Sequence, residues 1–319
     1  MKITVLGCGR WGSFIAWYLE KMGHRVCIWG RESSASLTAL RQGKMGAFAF
    51  QETIQTTSDL EEAIAFGEII CISISAQALR TFVANKAFFA ARQKPIILCM
   101  KGLEEKTGAR LSEIVAEAQD GYQDNLAIWV GPGHVEDFLA NIPNCMVIDA
   151  YDDTLKDKLI CALKGDRIRF YYGTDMIGNE VGAASKNVIG IAAGMLDGLG
   201  LPSLKGALMA RGAREISRLI HAMGGEEMSA YGLAHLGDYE ATVFSKYSRN
   251  RAYGESFVSG APIQGLAEGV STSHAMMQLA KKYGVELPIS EAVYDMIYHD
   301  ISPDEIAERL FARGLKKEF

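Results

Sequence analysis

No stretch of the chain approaches the ~20 consecutive apolar residues that span a bilayer. The most apolar candidate, 188–201, is interrupted by glycines and by Asp197. The opening MKITVLGCGRWG has one lysine and ends its apolar run in a glycine turn. That argues against a secretory leader and for a soluble, cytoplasmic chain. Positive charge is not in excess either: 33 Lys and Arg against 38 Asp and Glu leave a net −5, unlike the basic footprint of a nucleic-acid binder. CxxC pairs are absent. Cys8, Cys27, Cys71, Cys99, Cys145 and Cys161 are scattered singly, most of them in strand-like runs such as CIW, CISIS and ILCM. They read as small buried hydrophobes in a reducing compartment, not as a disulfide or metal framework. Repeats and low-complexity segments are also lacking. With 319 residues, two domains are expected.

What is present is order of another kind. Runs rich in Ile, Val and Cys recur through the first half: KITVL, RVCIW, EIICISI, PIILCM, LAIWV, NCMVI and RIRFYY. Helix-period segments lie between them, at 13–22, 35–43, 77–85, 107–118 and 152–164. Strand and helix in alternation imply an α/β fold, a doubly wound parallel sheet of Rossmann type covered on both faces. From about Thr174 the strand signal fades and Gly/Ala-rich helical segments take over, at 179–197, 205–223, 271–283, 288–299 and 303–312. The expected division is 1–174 for a dinucleotide-binding domain and 175–319 for an all-helical domain carrying substrate and catalysis.

Gly7, Gly9 and Gly12 form G-x-G-x-x-G directly between the strand KITVL and the first helix. In that setting the first glycine makes a tight turn, the second lets the backbone approach a pyrophosphate, and the third allows close helix–strand packing. The helix N-terminus then offers free N–H groups and partial positive charge to the phosphates. At the end of RVCIW the chain reads Gly30-Arg31-Glu32. Arg31 suits the 2′-phosphate of NADP, Glu32 leaves NAD open, and the balance leans toward NADPH.

In the second half, the segment GNEVGAASKN (178–187) opens a helix that is small or apolar nearly all round and is therefore expected to be buried. Lys186 within it is costly unless it is paired or its pKa falls. A lysine so placed can exchange a proton with a carbonyl or alcohol oxygen, while the plainer alternative is a packed stem with its head in water. Ser248, Arg249 and Asn250 lie in a donor-dense stretch suited to a phosphate or carboxylate, or else form a solvated basic loop. Asp238 can hold the lysine or a substrate hydroxyl, or be an ordinary turn aspartate. His235 stands three residues before Asp238, but with no third ligand nearby no metal is expected. His134, after Gly131-Pro132-Gly133 at the end of a strand, is either a site residue or a helix start.

Together GCGRWG with Trp11, Lys101-Gly102-Leu103-Glu104, Gly131-Pro132, GNEVGAASKN, Leu236-Gly237-Asp238, Ser248 to Arg251 and Glu268-Gly269 resemble NAD(P)-dependent glycerol-3-phosphate dehydrogenases over essentially the whole chain. The resemblance implies reversible hydride transfer to the central carbon of dihydroxyacetone phosphate, giving sn-glycerol 3-phosphate for phospholipid synthesis. It makes Lys186 the general acid/base, with Lys101 touching both cofactor and substrate and Asp238 orienting them. Gly131, Gly133, Ser248, Arg249 and Asn250 would hold the substrate. Arg10, Trp11, Arg31, Val135, Arg249, Leu266 and Glu268 would line the NADP or NAD. A homodimer is left open. Three departures stand out: Gly133 where the family usually has Ser or Thr, Ala241-Thr242-Val243-Phe244 for a Leu-Thr-Cys-Thr-like run, and Ser185 for Leu. Competing readings are a β-hydroxyacid or ketopantoate-type reductase and a non-catalytic dinucleotide sensor. Neither gives a reason for Ser248 to Arg251 beside Lys101, Lys186 and Asp238.

Overall fold

The computed structural model describes residues 1–45, 48–49, 53–118, 123–262, 265 and 267–314. Its strands are β1 (Lys2–Leu6), β2 (Arg25–Trp29), β3 (Lys44–Met45), β4 (Phe48–Ala49), β5 (Gln55–Thr57), β6 (Ile69–Ile72), β7 (Ile96–Leu98), β8 (Leu126–Val130), β9 (Asn144–Ala150) and β10 (Ile168–Tyr172). Apart from the small β3–β4 ribbon they form one 8-stranded sheet in the order β10-β9-β8-β7-β6-β1-β2-β5. From β5 to β8 this is the doubly wound order of a dinucleotide-binding fold, with its switch point between β1 and β6.

The sheet departs from the all-parallel expectation at one place, where β8 pairs antiparallel with β9. The helix between them, α6 (Val135–Leu139), has five residues and covers about 7.5 Å. A five-residue strand spans about 17 Å, so the helix is too short to carry the chain back, and the next strand runs the other way. β10 then pairs parallel with β9.

Alternate strand residues feed the two faces of the sheet, as the pleat requires. Ile3, Val5, Ile69 and Cys71 join α1 (Arg10–Lys21) and α7 (Asp153–Leu163) on one side. Leu6, Ile70 and Ile72 meet α3 (Leu60–Phe66), α4 (Leu79–Val83) and α5 (Leu111–Ala118) on the other. The remaining short helix of this half, α2 (Ala35–Arg41), follows β2.

Beyond Tyr172 the described chain is helical: α8 (Met176–Gly198), α9 (Lys205–Ala222), α10 (Arg249–Ser259), α11 (Glu268–Tyr283), α12 (Pro288–Tyr298) and α13 (Pro303–Phe311). None of the described helices is long and apolar enough to cross a membrane. α8 is the axis of this half, buried without a break from Gly178 to Ile191. It also grips the sheet half, because buried Glu180 takes Arg110 Nη1 at 2.7 Å and Ser112 N at 2.9 Å. Breaking such a buried pair from one side costs about 3–5 kcal/mol, so α8 is firmly seated against the sheet.

Candidate active site

β1 ends in Gly7, whose φ of +119° takes the chain over the tip of β6. A Cβ there would overlap the Ser73 carbonyl, and one on Gly12 would overlap the Gly7 carbonyl. Both glycines are thus forced by close backbone approach. Gly9 differs, since a Cβ on it would meet nothing within 4 Å. As the N-cap of α1 it brings no side chain to the first-turn N–H groups, which is the cradle a pyrophosphate requires. α1 begins at Arg10, three residues earlier than its apolar period suggests, so Arg10, Trp11 and Gly12 form its first turn.

Trp11 lies against Phe14 and Phe138, with ring centroids 5.0 and 6.4 Å away. Arg10 is paired with Glu136. Burial and the positive charge of Arg249 hold its guanidinium below the ordinary range, which brings an arginine from each half to the same place. At the tip of β2, Glu32 is engaged by Arg41 through bonds of 2.8 and 3.0 Å. Arg31 beside it is exposed.

The densest chemistry lies where α8 faces the end of the sheet. Lys186 Nζ stands 2.8 Å from Asp238 Oδ2 and donates to Thr242 Oγ1 at 2.8 Å. Lys101 Nζ, from the sheet half, reaches the same Oδ2 at 2.6 Å and the Gly131 carbonyl at 2.7 Å. The Thr242 hydroxyl spends its proton on the Asp238 carbonyl at 2.7 Å, so its lone pair is free to accept from Lys186. Burial pushes Lys186 down to about 8; Asp238 opposes that shift and Lys101 reinforces it. Two polar atoms here are buried without a hydrogen-bond partner, Asp238 Oδ1 and Asn187 Nδ2. Glu268, the first residue of α11, is near enough to feel Lys186, Lys101 and Arg249, yet burial raises its carboxyl.

Other residues singled out in the sequence are placed differently. The stretch from Ser248 is the start of α10, not a loop, and Ser248 Oγ caps it by accepting from Arg251 N at 3.2 Å. Arg249 is exposed at that helix start, whereas Arg251 is committed to Asp197 at 2.6 Å. Asn250 ties three helices together: its Nδ2 donates to Asn187 Oδ1 at 3.0 Å and its Oδ1 accepts from Gly269 N at 2.9 Å.

Gly133 has φ +143°, and a Cβ on it would run into the Phe138 ring. That accounts for the missing hydroxyl at this position. Val135 is buried at the start of α6. His235 is a structural residue: Nδ1–H donates to the Gly182 carbonyl at 2.8 Å and Nε2 accepts from Tyr239 at 2.7 Å. Burial pushes it down to about 4. Leu266 lies outside the described residues.

Sequence reasoning passed over Thr242 and Asn187. Thr242 follows Asp238 by four residues, a spacing that one helical turn brings onto one face. Asn187 adjoins Lys186 on a helix already expected to be buried.

Residues 2–156 match the family model for the NAD-dependent glycerol-3-phosphate dehydrogenase N-terminus, and residues 175–308 match the model for the C-terminus. The glycerol-3-phosphate dehydrogenase [NAD(P)+] of Pelodictyon phaeoclathratiforme is 34% identical over 331 residues, covering 100% of this chain and 99% of its own. That of Chlorobium limicola is also 34% identical, with the same coverage. The crystal structure of glycerol-3-phosphate dehydrogenase from Coxiella burnetii superposes with a TM-score of 0.89 at 28% identity, covering 98% of this chain and 99% of that one. Motifs, fold and full-length similarity converge, and the chain belongs to the NAD-dependent glycerol-3-phosphate dehydrogenase family.

Proposed function

We propose that the protein catalyses the reversible reduction of dihydroxyacetone phosphate to sn-glycerol 3-phosphate. The observation that carries this reading is the pair of ammonium groups on one oxygen of Asp238, beside two buried polar atoms that lack partners. A hydroxyketone answers those vacancies: a hydroxyl donates to Asp238 Oδ1 and an oxygen accepts from Asn187 Nδ2. Arg249, at the start of α10 where the helix dipole is positive, provides the anchor for the phosphate. Such a remote anchor spends binding energy on aligning the carbonyl.

A nicotinamide dinucleotide on the Gly7–Gly12 cradle supplies the hydride in reduction and takes it in oxidation. Lys186 gives its proton to the carbonyl oxygen in reduction and recovers one from the hydroxyl in the reverse direction. Lys101 bridges Gly131 and Asp238 and fixes the carboxylate from the sheet side. In this reading residues 1–174 hold the dinucleotide and 175–319 the substrate and the acid. All six cysteines are free, which supports placing the enzyme in the cytoplasm.

Purified protein should oxidise NADPH or NADH when given dihydroxyacetone phosphate and be idle with dihydroxyacetone, as followed by absorbance. Equal rates with both ketones would overturn the phosphate anchor, and no rate with either would overturn the proposed reaction. NADPH is the preferred cofactor in this reading, because Arg41 occupies Glu32 and leaves Arg31 to face a 2′-phosphate. Losing one charge-assisted contact of this kind costs roughly 1.5–3 kcal/mol. Arg31→Ala should therefore raise KM for NADPH about 10-fold or more while leaving KM for NADH nearly unchanged. Parallel changes in both constants would remove Arg31 from cofactor selection.

A further inference from the structure

The segment that carries Asp238 and Thr242 is short and irregular, a 3-10 turn (Leu236–Asp238) followed by a π-turn (Glu240–Phe244). Turns of the second kind gather at functional sites, where they re-aim side chains at some cost in regularity. Such a segment needs outside support to present two side chains to one lysine.

It is gripped from the sheet half at two points. At one end Lys101 holds the Asp238 carboxylate at 2.6 Å. At the other, His134 Nε2 lies 2.8 Å from the Ala241 carbonyl. A carbonyl only accepts, so Nε2 carries the proton and donates. Ala241 immediately precedes Thr242, whose hydroxyl takes the hydrogen bond from Lys186. Both grips start from one loop, since Gly131 holds Lys101 and His134 follows three residues later.

We propose that His134 is a positioning residue for the acid: its ring spans the cleft and fixes Ala241, so that Thr242 and Asp238 meet Lys186 in register. The inference deepens the dehydrogenase reading and rests on it. His134 occupies the N-cap position of α6, yet its side chain makes no capping bond there. The ring therefore serves the opposite half of the molecule, not its own helix. Tyr247 of that half meets it edge-on, with centroids 5.7 Å apart. Burial holds the imidazole below its ordinary pKa against the hydrogen bond to Ala241, and nearby Lys186 adds to the shift, which favours the uncharged ring beside the ammonium.

Three variants separate positioning from folding. Glutamine keeps an N–H donor at about the reach of Nε2, so His134→Gln should retain most of the turnover. Asparagine is too short to reach Ala241 but is a favoured N-cap, so His134→Asn should melt no lower than the unaltered protein. His134→Ala loses both features. Misplacing catalytic groups by about 1 Å can cost 10²-fold, so kcat for dihydroxyacetone phosphate should fall about 10- to 100-fold in the Asn and Ala variants, with KM for NADPH unchanged. An unimpaired His134→Asn enzyme would overturn the inference, as would a glutamine variant no better than the asparagine one. Those results leave the dehydrogenase reading standing, whereas unaltered protein that is inert with dihydroxyacetone phosphate overturns that reading and this inference with it.

Discussion

Lys186→Met should turn over dihydroxyacetone phosphate about 100-fold more slowly than the unaltered enzyme, or worse, as expected when a general acid is removed. Methionine keeps an unbranched apolar stem, so it fills the lysine's place in α8 without opening a cavity. Asp238 keeps Lys101 on Oδ2 and is not left as an unpaired buried charge. The cofactor cradle is built from Gly7, Gly9 and Gly12 and is untouched, so NADPH should still quench the fluorescence of Trp11 with an unchanged dissociation constant. The pH profile gives a second signature. Lys186 is held at about 8, and reduction requires its protonated form. The reduction rate should therefore hold below that pH and fall as pH rises through it, while oxidation rises over the same interval. In Lys186→Met that limb should vanish. Near-normal turnover in the variant would mean that the proton comes from another group.

The parts of this site that could be read from the sequence are those dictated by local sterics or by the cost of burial. Gly7 and Gly12 of the dinucleotide loop are enforced by contacts with Ser73 and with each other, and the glycine spacing between a strand and a helix exposes the loop. Lys186 was legible because the helix around it has no polar face. β5 was missed because Gln55–Thr57 is a polar edge strand and lacks the apolar run that marks the central strands. α10 was missed for a different reason. It lies on α8 by backbone approach, where a Cβ on Gly194 would overlap the Arg251 carbonyl and one on Gly254 the Ile191 carbonyl. A contact made by small residues leaves no apolar stripe to detect. Thr242 meets Lys186 across 56 positions of sequence, a pairing that only the packing of the π-turn creates. The absence of a hydroxyl at Gly133 was plain from the residue, whereas its cause, the Phe138 ring, became visible only in three dimensions.

Asp238→Asn should damage stability and activity together. The carboxylate is 1% exposed, and both Lys101 and Lys186 rest on its Oδ2. An amide of the same shape keeps the packing but withdraws the negative charge from two ammonium groups. Removing one partner of a buried pair costs about 3–5 kcal/mol when the other must stay charged and buried. Here the loss should fall near the lower end, about 3 kcal/mol, because both lysines have an escape. Lys101 is 21% exposed along its side chain and can turn toward water, while Lys186, already near 8, can shed its proton. That second escape removes the acid. The fall in reduction rate seen near pH 8 should move to lower pH in the variant, so turnover at pH 7 drops steeply and returns in part on acidification. Thr242 bonds to the Asp238 backbone carbonyl, not to the carboxylate, so its contact with Lys186 has no reason to fail and the change can be assigned to charge. Thermal melting and a pH–rate profile on one preparation decide the matter. A variant that melts as before with its pH limb in place would show that the lysines draw their counter-charge from elsewhere, Glu268 being the nearest candidate by its coupling to both.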